Sequence, residues 1–201
     1  MPGFLRPLRV FPWVNRSNTC HGLCGGMCFA ALDWMQTAAA VPPHSTPPPS
    51  NTQFYQYLYQ RQFDTYGTFW QVTGKFLKWT ALPDDSVSAL TLRELHSITC
   101  SLKQNKPVVL GLVFTRLSET IAIWKNHQVL AYRYSESDTQ KLHVYDPNYP
   151  GNDNIWIEIT HKENNYSFKL RSVDGKKGLA IRGFFVIPYT PKPLPPSIHS
   201  S

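Results

Sequence analysis

The chain contains no apolar stretch approaching the roughly 18 uninterrupted residues of a membrane-spanning helix. It also lacks a basic tract. The formal net charge is +7, but Lys75, Lys78, Lys103, Lys106, Lys162 and Lys169 lie in separate segments. A nucleic-acid arm or a polybasic membrane patch would concentrate that charge, so a solvated basic surface is expected and neither partner is. Charged residues are scarce, 16% where about 25% is typical. Aromatic residues and 17 prolines occupy the difference. The first segment, MPGFLRPLRVFPWVNRSNTC, is interrupted by Pro2, Pro7 and Pro12 and carries Arg6, Arg9 and Arg16. It has no continuous apolar core of the kind a signal peptide needs, which leads us to expect a cytoplasmic protein. Cysteines are few: Cys20, Cys24, Cys28 and Cys100. Three of them crowd into one short segment, a poor basis for a disulfide framework and a pointer to chemistry or metal in a reducing compartment.

What is present suffices for one core, since 42% of the 201 residues are hydrophobic. Residues 1–19 read as an extended lead-in, 20–188 as a single domain and 189–201 as a Pro-rich, poorly ordered tail. CHGLCGGMC is not expected to be regular helix, because Gly22, Gly25 and Gly26 weaken it. From Cys28 the pattern changes: Phe29, Leu32 and Met35 recur at helical spacing, predicting a helix from about Cys28 to Ala39 that Pro42 and Pro43 stop. Further helices are predicted over about 52–62 and 66–77. A fourth is predicted from Thr91 as N-cap, with Glu94 completing a capping box, to about Gln104. After Pro107 the chain turns to β-branched and aromatic runs (VVLGLVFT, HQVLAYRYS, KLHVYDP, NIWIEIT, NYSFKLRS, GLAIRGFFVIPY) separated by turn residues. Helices over about 28–104 followed by strands over about 107–188 predict an α+β fold, a helical lobe against an antiparallel sheet, with a groove between them as the natural ligand site.

A thiol nucleophile must be deprotonated near neutral pH, exposed on one side and held near a base. The first turn of a helix favours the thiolate, and small residues before it let a substrate carbonyl reach backbone amides. Gly25-Gly26-Met27-Cys28 meets that description, which makes Cys28 the expected nucleophile rather than the buried apolar residue a free cysteine usually is. His127 opens the strand HQVLAYRY and is the expected base, while His143 reads as an ordinary strand residue. Asp146 ends LHVYD ahead of Pro147. On its own it would be a turn opener; in the order Cys, His, Asp it is the expected partner that fixes the imidazole. DPNYPGND lacks the length and closing Glu of a calcium loop and reads as a turn.

GLCGGMCFA resembles the Gln-Gly-x-Cys-Gly-Ser-Cys-Trp segment that begins the central helix of papain-like cysteine peptidases. NHQVLAYRY resembles their His-bearing strand. VYDPNYPG is similar to the bacteriocin-processing (leader-peptidase) branch, where Asp-Pro replaces papain's asparagine. The resemblance implies a papain-like fold and a cysteine hydrolase that cleaves an amide (peptide) bond through a Cys28 thioester. It implies a peptide or protein substrate, and no cofactor is called for. This chain has no glutamine ahead of the nucleophile. His21, with Asn18 as the other nearby polar group, is the expected oxyanion-hole residue beside the Cys28 backbone amide, and the Cys24-to-Cys28 interval is one residue longer than the family's. Three other readings share these residues: a deamidase or transglutaminase using the same acyl transfer, a non-catalytic peptide- or glycan-binding groove aided by Tyr55, Tyr57, Tyr59 and Trp70, and a metal site of Cys20, His21, Cys24 and Cys28. The last lacks the Cys-x-x-Cys pairs of structural zinc, so no metal is expected.

Overall fold

Helix formers fill the first half of the chain and β-branched residues the second. The computed structural model, which describes residues 22–37, 48–67, 71–116, 126–149, 151–162, 165–172 and 178–195, keeps that division. Four helices come first: α1 (Cys24–Met35), α2 (Gln53–Asp64), α3 (Val72–Ala81) and α4 (Asp84–Lys103). Seven strands follow: β1 (Val108–Val113), β2 (His127–Glu136), β3 (Gln140–Tyr145), β4 (Ile155–Lys162), β5 (Asn165–Ser172), β6 (Leu179–Ile181) and β7 (Gly183–Ile187). The fold is α+β, and no described helix is long and apolar enough to cross a membrane.

The first helix begins one turn earlier than predicted and runs through both glycines. Close approach explains it. A Cβ on Gly26 would lie 2.2 Å from the Leu58 carbonyl oxygen of α2, and one on Gly25 would meet the Gln128 side chain at 2.2 Å. The missing side chain of Gly26 lets α1 and α2 touch backbone to backbone, that of Gly25 makes room for Gln128, and burial offsets the intrinsic cost of glycine in a helix. One face of α1 (Met27, Ala30, Trp34) packs with Leu23 against Phe54, Tyr57 and Leu58 of α2. The opposite face (Cys28, Phe29, Leu32) lies on the sheet beside Val109, Val113, Leu130 and Phe185.

The predicted capping box at Thr91 is also corrected, because α4 starts at Asp84 after Pro83 and Thr91 sits inside it. Thr91 Oγ1 donates to the Val87 carbonyl and accepts the Phe184 N–H, and Glu94 accepts the Val186 N–H. These residues satisfy the outer edge of β7, where a sheet would otherwise present unpaired backbone groups.

All strand pairs are antiparallel, in the order β6-β5-β4-β3-β2-β1-β7. Only Arg182 separates β6 from β7, yet they stand at opposite ends of that order. The sheet therefore curls until its ends meet in one strand bent at Arg182. Its inner face is filled by Leu110, Leu112, Val129, Leu142, Ile157 and Phe184, with Ile98 of α4 closing one side. Arg182 secures the bend by donating to the carbonyls of Trp79, Thr80, Leu82 and Thr115 and by pairing with Asp84 at 2.7 Å.

The predicted tail differs too. Residues 188–195 are described and run across α1 and α2 as a strap: Tyr189 stacks edge-on with Phe29 and Leu194 is buried beside Tyr57. Under the strap Asp33 and Arg61, each 1% exposed, form an ion pair at 2.7 Å. The Tyr57 and Tyr189 hydroxyls and the Lys192 N–H all donate to Asp33, and Arg61 donates to the Thr190 carbonyl.

Candidate active site

Three segments converge at the start of α1. Cys24 is the first helical residue, half-buried, where the N–H groups of the opening turn lack intrahelical acceptors and the helix dipole favours negative charge. His127 opens β2 and Asp146 follows the last residue of β3. Antiparallel pairing of those strands (Leu130 opposite Tyr145) brings the start of one beside the end of the other. The imidazole Nε2 lies 2.6 Å from Asp146 Oδ1, and Asp146 is 1% exposed. With Nε2 committed to the carboxylate, Nδ1 is the nitrogen not engaged by it, on a ring that interacts electrostatically with the Cys24 thiol. Burial alone would lower the His127 pKa. The Asp146 charge, its hydrogen bond and the Cys24 contact reverse that and hold the value well above the ordinary histidine range.

The expectation for Cys28 is corrected by this geometry. Its residue is 0% exposed, packed between Phe29, Val113 and Leu130, and its thiol donates to the Gln128 carbonyl at 3.7 Å. Burial, then the charges of Cys24 and Asp146, push the Cys28 thiol well up, away from the reactive thiolate. The helix starts at Cys24, so Cys28 falls one turn inside it and faces the sheet. A signal for this was present: Leu23, Met27, Ala30 and Trp34 recur at helical spacing and carry the apolar face back past Cys28. His21 and Asn18, the expected oxyanion candidates, lie outside the described residues, as does Cys20.

No family model, curated protein or solved structure matches this chain.

The surrounding groups hold the opening turn of α1. Gln62 Oε1 accepts the Gly26 N–H at 2.9 Å, and its amide nitrogen donates to Thr65 and Tyr66. Gln128 donates to the same Thr65 hydroxyl, at 3.2 Å. Beyond Asp146 the chain makes the expected turn, in which the Asp146 carbonyl accepts the Tyr149 N–H at 2.9 Å. Its Oδ1 accepts the Asn148 N–H, also at 2.9 Å. The Asn148 side-chain amide lies 3.1 Å from His127 Nε2. Nothing in the sequence pattern singled out Gln62, Gln128 or Asn148 for this place. A half-exposed thiol, an imidazole on which it acts and a buried carboxylate bound to that imidazole form a unit able to generate a nucleophile and to move a proton.

Proposed function

We propose that the protein is a cysteine hydrolase acting on an amide (peptide) bond, with Cys24 as nucleophile, His127 as base and Asp146 as the group that orients it. One observation carries the reading: Cys24 stands at the open end of α1 and acts on an imidazole whose Nε2 is bound to a buried carboxylate. His127 takes the Cys24 proton at Nδ1, and the thiolate attacks the substrate carbonyl carbon. The oxyanion that forms faces the first turn of α1, where the Cys24 N–H is a ready donor. His127 returns its proton to the leaving nitrogen, the C–N bond breaks and a thioester remains. Water, deprotonated by the same imidazole, hydrolyses the thioester and restores the thiol.

The test is alkylation with iodoacetamide, read by mass at each cysteine, together with product analysis on a peptide library. Cys24 is expected to react much faster than the exposed Cys100 at neutral pH, and the excess should vanish in His127→Ala. Cys28→Ala should leave Cys24 labelling intact, whereas Cys24→Ala should abolish turnover. Cleavage products support hydrolysis, and a one-dalton gain on glutamine or a cross-linked product would redirect the reading to deamidation or transfer. Equal reactivity of Cys24 and Cys100 would sink it.

A further inference from the structure

We propose that Asn148 is a positioning residue of this site: it turns its side-chain oxygen to His127 Nε2, so that the imidazole is held by a carboxylate–carboxamide pair. The inference follows from counting hydrogens. Among the described residues Nε2 has two polar neighbours, Asp146 Oδ1 at 2.6 Å and the Asn148 amide at 3.1 Å. An ionised carboxylate only accepts, so Nε2 carries a hydrogen and is a donor. A donor N–H cannot also receive an N–H from Asn148. The oxygen and nitrogen of an amide have nearly the same shape, and the network decides between them. Here it assigns the oxygen to the imidazole.

The backbone fixes this arrangement. The Asn148 N–H donates to the same Asp146 oxygen that faces the ring, and buried Pro147 stiffens the link between them. The Asn148 backbone, and with it the base of the side chain, therefore cannot move away from the ring without also disturbing Asp146. Among the described residues the titratable groups acting on His127 come from two elements, Asp146 at the end of β3 and Cys24 at the start of α1. Asn148 adds a neutral acceptor to the first of these. It would keep the ring in plane while the charge on the imidazole changes during the reaction. The role rests on the reading of His127 as the base for Cys24.

The test needs no substrate: titration of His127 by NMR of ring-nitrogen-labelled protein in wild type, Asn148→Ala, Asn148→Asp and Asp146→Ala/Asn148→Ala. Alanine keeps the backbone N–H to Asp146 and removes only the side-chain amide. The expected result is a His127 titration lowered in Asn148→Ala, raised above wild type in Asn148→Asp, and lowest in the double variant. Cys24 alkylation should slow about tenfold in Asn148→Ala, the scale of one hydrogen bond to a charged group. A titration that rises in Asn148→Ala would show the amide donating to a neutral ring, and an unmoved one would make Asn148 a spectator. Either overturns the proposal. Should the alanine variant fail to melt cooperatively, Asn148→Asp decides alone, since an unmoved His127 there is equally fatal. If wild-type Cys24 proves unreactive while His127 shifts as described, the hydrolase reading falls and the hold of Asn148 on the ring stands.

Discussion

Two histidines on neighbouring strands respond to their surroundings in opposite ways. His127 binds its proton more tightly folded than unfolded, since the Asp146 charge outweighs the burial that opposes it. His143 is the reverse: burial, then Arg133 and Lys141, push it down to about 4, and as a neutral ring it accepts from Arg133 at Nδ1 and donates its Nε2 hydrogen to the Ser135 hydroxyl. For His127 the stabilisation is full below about pH 6.5, the unfolded value, and is lost as pH rises through the raised folded value. For His143 it is full above about pH 6.5 and is lost as pH falls toward the folded value. Urea unfolding across pH 4 to 9 should thus give a stability profile that falls on both sides. His143→Gln should flatten the acid side and His127→Gln the alkaline side; a profile that neither substitution alters would contradict both assignments. In sequence the two histidines are distinguishable only by position, one opening its strand and the other inside it. Which cysteine faces the ring was not legible in the same way. That depended on where a glycine-bearing helix starts, and tertiary contact decides that start rather than propensity.

At the scale of elements the two glycines of α1 have a measurable consequence. Gly26→Ala should destabilise the fold by about 2 kcal/mol or more, because its Cβ would press on the Leu58 carbonyl, which cannot yield without moving α2. Gly74, inside α3 with nothing within 4 Å of its added Cβ, is the control. Gly74→Ala should stabilise by roughly 0.5–1 kcal/mol. Thermal melting of the two variants checks both signs, and equal shifts would mean that α1 and α2 are not in backbone contact. The helix count and most strand segments were readable from periodicity and β-branched runs such as VVLGLV and IWIEIT, but the third helix begins at Val72 rather than near Tyr66, and GLAIRGFFVIPY, one run in sequence, is two strands. The start of α4 was not. Thr91 and Glu94 have the spacing of a cap but hold the β7 edge, a partner some 90 residues away that no local pattern encodes.

Across the whole molecule, the Asp33–Arg61 pair joins α1, α2 and the strap in one buried polar cluster. Removing one charge strands the other, so Arg61→Met alone should cost about 3–5 kcal/mol. Asp33→Leu/Arg61→Met should cost much less than the two single changes added together. Chemical unfolding of the four proteins measures the coupling, and additive losses would mean that the charges act independently. Asp33 could not be recognised in advance, since it sits in an otherwise apolar helix and its partners come from distant segments. The closure of the sheet at Arg182 has a further result, in time rather than in space. Both ends of the seven-strand order are made by the bent segment β6–β7, which is synthesised after the other five strands. Until it emerges, β5 and β1 present open edges and the sheet cannot close. The native sheet therefore forms late and through distant pairings, the topology that slows folding and leaves a nascent chain in need of protection from its neighbours.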